Sequence, residues 1–315
     1  MGGERMKIFK NYFVQRVFYM IVTFFLIMTI TFVTMKLLPG SPFKNQDKLT
    51  AQQLEVLKDH YHLNDPISVQ FYYYVVDFFK GDLGMSFQFK NQGVTSIIVD
   101  KIQPSFLLGI EALLIGIIIG VLLGIFSGMK HNTFWDYGTT VISVLGISIP
   151  SFVFAGFMQY FFAVKLGWLP VAYWGDWKHH IMPSLALSFV VISTIARYIR
   201  MEMLEVLNQD YIKTARAKGL EKHTIIVKHA LKNTLIPVIT MLGPLTISIL
   251  TGSLVIEKIF SIPGIGEQFV VSITTNDYPM IMGLTLLYSA LFIGVVFIVD
   301  ILYGLVDPRI KLGGD

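Results

Sequence analysis

Six apolar stretches, each close to the ~20 residues that a helix needs to cross a bilayer, restrict this chain to a membrane fold. Charged residues make up 15% of its 315 residues, against about 25% in soluble domains. Inside lipid the backbone must satisfy its own polar groups, which favours helices. We therefore predict an all-α polytopic membrane protein with six transmembrane helices. The predicted spans are residues 14–35, 105–129, 139–164, 182–200, 235–256 and 281–304.

The first stretch has some features of a signal peptide, because Arg5, Lys7, Lys10 and Arg16 precede an apolar run. The run Val17–Met35 is longer than the roughly 7–15 residues of a signal core. A Lys-Leu-Leu-Pro-Gly segment follows it, where a signal peptide has small residues at a cleavage site. We expect this stretch to be a retained span.

The distribution of Lys and Arg predicts the orientation. With a cytoplasmic N-terminus, the inside segments hold 15 of these residues and the short outside loops hold three. Both termini are therefore expected in the cytoplasm. The predicted organisation is an N-terminal helix with an extracytoplasmic segment (1–95), a five-helix core (96–307) with a cytoplasmic loop (201–234), and a cytoplasmic tail (308–315).

The segment between the first two spans, residues 36–104, is expected to fold outside the membrane. Thr50 begins a capping-box pattern that predicts a helix start. An aromatic cluster follows, and we interpret it as part of a small cap whose rings are buried or lie at the membrane interface. Direct contact with a substrate is the alternative. The cluster comprises Phe71, Tyr72, Tyr73, Tyr74, Phe78 and Phe79.

Glycine recurs every four residues in the second span, at Gly116, Gly120, Gly124 and Gly128. This spacing places all four on one helix face, where another backbone can approach closely. We predict a helix-packing surface, with a hinge or sliding surface as the alternative.

Two acids lie near the ends of predicted spans, Glu111 near the outer end of the second and Asp300 near the inner end of the sixth. Ionisable groups in a membrane are candidates for function, but neither acid has an obvious partner at helical spacing, and a structural role is favoured. The adjacent His179 and His180 are assigned to an interfacial loop with Trp174 and Trp177.

Several classes of chemistry are excluded by missing motifs. The chain contains no G-x-x-x-x-G-K-[ST] phosphate loop, no H-E-x-x-H and no G-x-S-x-G. It also has no Cys, which excludes disulfides and thiolate metal sites. We therefore predict no catalytic residue, no metal site and no cofactor in this chain. The net charge of +4 is attributed to membrane topology, with no nucleic-acid partner.

A basic segment of 28 residues, Asp210–Pro237, separates the fourth and fifth spans. Asp210 is expected to cap a first helix over Tyr211–Lys218, and Gly219 to end it. A second helix is expected from about Glu221 to Asn233. A cytoplasmic hairpin of this kind suits either contact with another protein or binding of membrane lipid by its basic face.

The same segment resembles the cytoplasmic loop of ABC importer permeases, in which a Glu-Ala-Ala-x-x-x-Gly core docks on the ATP-binding subunit. Ala215 and Gly219 match that core, whereas Lys213 and Thr214 stand in place of its Glu and first Ala. Further resemblances lie along nearly the whole chain. They are residues 37–42 (LLPGSP), 81–87 (GDLGMSF), 149–152 (IPSF), 166–171 (LGWLPV), 257–266 (EKIFSIPGIG) and 306–311 (VDPRIK).

The resemblance is closest to the B-type permease subunits of oligopeptide importers. It implies type I ABC importer architecture in a prokaryotic plasma or inner membrane. It also implies a second homologous permease, two ATP-binding subunits that hold ATP and Mg, and an extracytoplasmic peptide-binding protein. The residues that it assigns to coupling with the ATP-binding subunits are Asp210, Thr214, Ala215, Ala217, Gly219 and Leu220.

Other functions remain as alternatives. Dipeptide and nickel permeases share the same motifs. A stand-alone channel or secondary transporter would be expected to show an internal repeat or a buried ion site, and an intramembrane enzyme would need convergent polar groups at one depth. The sequence shows neither pattern.

Overall fold

A computed structural model describes residues 2–37, 50–60, 62–89, 92–250 and 253–306. Within these ranges the chain is helical and forms no strand, which confirms the all-α fold class. The helices are α1 Gly2–Lys36, α2 Ala51–His60, α3 Ile67–Phe79, α4 Val94–Met129, α5 Phe134–Ser148, α6 Ser151–Met158, α7 Trp177–Leu207, α8 Asp210–Ala217, α9 Lys222–Thr224, α10 Leu231–Leu250, α11 Leu254–Ile259, α12 Ile265–Thr274 and α13 Tyr278–Val306. Two π-helical segments, Gln159–Lys165 and Ile225–Ala230, continue α6 and α9.

Five stretches of the described helices are long and apolar enough to cross a membrane. They are Phe13–Lys36, Val94–Met129, Trp177–Leu207, Met241–Ile259 and Tyr278–Ile301, of which the fourth includes residues 251–252, outside the described ranges. A sixth crossing would have to be made by a bent pair of helices. The pair is Phe134–Ser148 and Ser151–Lys165.

The third predicted span, residues 139–164, is not one continuous helix. The chain bends by 107° between α5 and α6. Pro150 causes the break, since proline lacks an N–H and disfavours helical geometry at the residue before it. Ile149 accordingly adopts an extended conformation, with φ −84° and ψ 121°, and Pro150 precedes the first residue of α6.

The described residues divide into two compact units. The first contains residues up to Gln103 together with Gly264–Ile293, and the second contains Pro104–Pro263 together with residues from Gly294 onward. Each unit has its own apolar core.

In the first unit, the aromatic segment predicted as a cap forms α3 and packs along α1. Phe71 lies 5.2 Å from Phe32 between ring centroids, and Phe78 lies 5.6 Å from Phe24, so the two helices run antiparallel. One face of α3 covers the core around Met28, while Tyr72 remains 64% exposed. The aromatic cluster is therefore divided between packing and an open surface.

In the second unit, α7 is the central helix, and the glycine face of α4 packs against it. A Cβ atom added at any of the four glycines would lie 2.5–2.9 Å from a side chain of α7, closer than real Cβ atoms approach. The facing residues are, in order, Val191, Ile195, Ile199 and Met203. Residues spaced by four on α4 thus face residues spaced by four on α7. Because glycine has no side chain, the two helix backbones can approach closely along this face.

Candidate coupling site

The first helix of the basic segment, α8, begins one residue earlier than predicted. Gln209 occupies the cap position, with an extended backbone and no capping bond from its side chain. Asp210 is the first helical residue, so the prediction that it caps the helix is wrong. Its exposed carboxylate instead accepts a hydrogen bond of 2.8 Å from Lys213, and an acid in the first turn also complements the helix dipole.

The two faces of α8 have different environments. Ile212 and Ala215 are buried, at 0% and 6% exposure, in the same core as α7. Thr214 and Ala217 are exposed on the other face. Tyr211 helps to hold the helix in place, because Asn233 donates a hydrogen bond of 2.7 Å from its amide to the Tyr211 hydroxyl. The basic segment therefore presents one fixed face of α8 outward.

The end of α8 is a tight turn that contains Gly219. Its φ is +76°, a conformation that glycine adopts without steric cost. Leu220 N–H reaches back to the Ala215 carbonyl, at 3.3 Å, as in a Schellman turn. A Cβ added at Gly219 would have nothing within 4 Å, so only the backbone conformation requires glycine here.

The second predicted helix, residues 221–233, does not form a separate unit. Helix α9 passes through the π-helical segment into α10 without a break. Ile225 and Ala230 are buried on its inner side, and Thr234 bonds to the Met203 sulfur at 3.3 Å. The basic segment thus forms one short helix, α8. It is followed by a helix that begins earlier than the fifth predicted span and continues into it.

A cavity of about 410 Å³ lies beside α8. Apolar residues from the ends of α4 and α7, Met129 and Leu207, form one part of its lining. Arg216, Leu220 and Lys222 form another. Neither cation has an acidic partner within the described residues, so this edge of the segment presents uncompensated positive charge.

A buried ion pair close to these helix ends was not found from the sequence. Asp136 on α5 is 1% exposed, and its two carboxylate oxygens lie 2.5 and 3.0 Å from Nε and Nη2 of Arg200. Ser127 donates at 2.6 Å and the Asn132 N–H at 2.9 Å, and His131 Nδ1 lies 3.0 Å away. The group joins α4, α5 and α7. The sequence offered only one signal, an Asp and an Arg near the ends of apolar stretches.

Comparisons with known proteins identify the family. Residues 120–312 match the family described as the inner membrane component of binding-protein-dependent transport systems, and residues 9–108 match its N-terminal component. The chain belongs to this family. It is a permease with the type I importer architecture that the sequence resemblance implied.

Curated relatives cover almost the entire permease. The dipeptide transport system permease protein DppB of Bacillus subtilis is 46% identical, over 96% of this chain and 98% of the relative. DppB of Lactococcus lactis is 44% identical, over 96% and 99%. The oligopeptide transport system permease protein OppB of Salmonella typhimurium is 42% identical, over 96% and 99%.

Solved structures share the fold of the permease. The MetNI methionine ABC transporter in inward-facing conformations matches with a TM-score of 0.53 and 18% identity, over 68% of this chain and 97% of that chain. A crystal structure of an amino acid ABC transporter with histidines matches with a TM-score of 0.51 and 15% identity, over 66% and 94%.

Glu111, which lacked a partner at helical spacing, has two partners on α7 of the permease. Its Oε1 lies 2.9 Å from His180 Nδ1, and its Oε2 accepts a hydrogen bond of 2.7 Å from Ser184. The His180 ring stacks on Trp174 with 4.0 Å between centroids. His180 is therefore a partner of Glu111. It lies in the first turn of α7, so the assignment of the His pair to a loop is wrong. Asp300 is half-buried on α13.

Proposed function

We propose that this permease is the membrane-spanning subunit of an ATP-driven importer of short peptides. The observation that carries the proposal is the near-full-length similarity to permeases named for dipeptide and oligopeptide transport, at 42–46% identity. The permease would sit in a prokaryotic plasma or inner membrane with both termini in the cytoplasm. It would form the translocation path with a second, homologous permease, and a peptide-binding protein would deliver the substrate.

Peptide length distinguishes the finer alternatives. The motif pattern favours oligopeptides, while relatives named for dipeptides and for oligopeptides are similarly close. Uptake of labelled di- to hexapeptides, and of nickel, should be measured in a strain that lacks this gene. We expect loss of peptide uptake, including the longer peptides, and rescue by the intact gene. Loss of nickel uptake alone would overturn the peptide assignment.

The proposed energy source is a pair of ATP-binding subunits that hold ATP and Mg. The exposed face of α8 would dock on them, with Asp210, Thr214, Ala217 and Leu220 accessible to the partner. Ala215 would act from the inner side, since its burial seats α8 on the core of the permease. The cations that line the neighbouring cavity, Arg216 and Lys222, would favour an acidic partner surface.

A stand-alone channel or secondary transporter would not need this docking face. Purification of the permease from its native membrane distinguishes the two classes. We expect ATP-binding subunits to co-purify in a stable complex, and their absence would count against an ATP-driven importer.

Two substitutions at Gly219 should separate backbone geometry from side-chain size. Asn tolerates positive φ, whereas Val is strained there by its branched Cβ. Val would add about 1–2 kcal/mol of backbone strain at this positive φ, and the turn would change its conformation to relieve it. We therefore expect Gly219→Val to reduce peptide uptake by about 10-fold or more. Gly219→Asn should retain most of the uptake. Uptake and peptide-stimulated ATP hydrolysis in proteoliposomes provide the measurement, and equal activity of both variants would refute the role of the turn.

A further inference from the structure

The first compact unit contains a cavity of about 230 Å³ that the coupling mechanism does not use. Its apolar wall includes Phe32 and Met35 of α1 and Tyr278 and Met282 of α13. Gln70 and Tyr74 of α3 also line it. One cationic side chain, Lys36 at the end of α1, contributes to the lining.

The ammonium group of Lys36 is held in position by neutral groups. It donates a hydrogen bond to Oε1 of Gln70 and lies 5.4 Å from the ring centroid of Phe32. Gln70 is itself oriented, because its amide donates to the backbone carbonyls of Leu63, at 3.2 Å, and Asp65, at 2.7 Å. Within the described ranges no carboxylate pairs with Lys36. A half-buried cation of this kind favours an anionic ligand.

The hydroxyl of Tyr74 provides a second, independent indication of a ligand. Its oxygen is buried, lines the same cavity and has no hydrogen-bond partner among the described residues. Burial raises the pKa of Tyr74, so the hydroxyl keeps its proton and remains a donor. Buried polar groups are rarely left without a partner. A bound acceptor would satisfy this one.

The more exposed lining residues, which we call the rim of the cavity, include two acids. Asp77 and Asp82 both line it. The Asp77 side chain is 49% exposed and pairs with the exposed Lys80, and Asp82 accepts a hydrogen bond from the N–H of Gly84. His62 and Tyr73 stack with 5.0 Å between their ring centroids at the same opening. The cavity therefore combines an interior cation with an acidic entrance.

We propose that this cavity binds the terminal carboxylate of a short peptide, which accepts hydrogen bonds from Lys36 and Tyr74. The acidic rim then faces the positively charged end or a neutral stretch of the peptide. An acidic loop of a partner protein is a poorer occupant, since Asp77 and Asp82 would repel its other carboxylates. The proposal rests on the proposed function and adds a substrate contact on the extracytoplasmic segment.

The test uses the complete importer, reconstituted with its partner subunits and binding protein. Lys36→Met should raise the KM for a labelled tetrapeptide with a free carboxyl terminus by about 10- to 100-fold, the loss expected for a charge-assisted hydrogen bond. Lys36→Arg should restore most of the affinity. The matched control is Lys58→Met on α2, which removes a cation of the same segment outside the cavity and should leave the KM unchanged.

Tyr74→Phe keeps the ring and removes only the unpartnered hydroxyl. It should raise the KM in the same direction without lowering the melting temperature of the importer, because no hydrogen bond within the described residues is lost. A KM that is unchanged in both Lys36→Met and Tyr74→Phe would overturn the proposal.

The affinity of the peptide-free binding protein for the permease complex in nanodiscs should be the same for wild type and Lys36→Met. If that affinity falls instead, the cavity receives an acidic group of the binding protein and the proposal is wrong. If the wild-type importer transports no peptide, the proposed function is wrong, and the proposed peptide contact is wrong with it. If the wild-type importer transports peptide and the variants have an unchanged KM, only the assignment of the cavity is wrong.

Discussion

Gly124→Leu is expected to abolish recovery of folded permease. Even the first atom of the leucine side chain, its Cβ, would lie 2.5 Å from Cβ of Ile199 and 2.8 Å from the backbone oxygen of Ala196. A backbone atom cannot rotate away, so α4 and α7 would have to separate along their shared face. Overpacking typically costs about 1–3 kcal/mol, and a displaced helix pair costs more.

The fraction of monodisperse protein after extraction into mild detergent, followed by fluorescence-detected size-exclusion chromatography, measures this effect. Gly156→Leu on α6 is the matched control, since a Cβ there meets nothing within 4 Å. Normal recovery of Gly124→Leu would show that folding of the permease does not require α4 and α7 to approach closely at Gly124.

Asp136→Ala should destabilise the permease strongly. Removal of the carboxylate leaves the guanidinium of Arg200, whose side chain is only 25% exposed, without this partner. It also leaves the donors of Ser127 and Asn132 without an acceptor. Breaking a buried pair in this way typically costs about 3–5 kcal/mol, whereas replacing both partners by apolar residues costs much less.

Thermal unfolding of the purified permease checks this prediction. We expect a large fall in melting temperature for Asp136→Ala and a partial recovery in the double variant Asp136→Leu/Arg200→Leu. The control is Asp210→Ala, which removes an exposed ion pair and should change the stability by about 0.5 kcal/mol or less. Equal melting temperatures for Asp136→Ala and the wild type would contradict the structural importance of the group.

Sequence reasoning was most successful where the pattern is local. Hydropathy over about 20 residues locates the apolar spans, because the bilayer fixes their length. Gly219 was expected to end α8, and its positive φ follows from the same local rule. Pro150 is also visible in the sequence, but the long apolar run around it predicts a single span. A proline inside such a run indicates a break that hydropathy alone does not show.

The pairings between distant residues could not be predicted in the same way. Asp136 and Arg200 are 64 positions apart, and Glu111 and His180 are 69 positions apart. Their contacts depend on which helices pack together, and helical spacing within one span does not determine that. The two faces of α8 are a similar case, since the burial of Ala215 depends on the position of α7.

Site-specific photo-cross-linking tests the central claim, that the exposed face of α8 docks on an ATP-binding subunit. The chain has no native Cys, so a single Cys can carry a benzophenone probe without competing sites in this subunit. Ala217→Cys places the probe on the exposed face, and Tyr173→Cys places it on an exposed residue of the loop before α7. We predict a cross-linked product with the ATP-binding subunit from Ala217→Cys and none from Tyr173→Cys. Equal labelling from both positions, or none from Ala217→Cys in an assembled and active importer, would contradict the account.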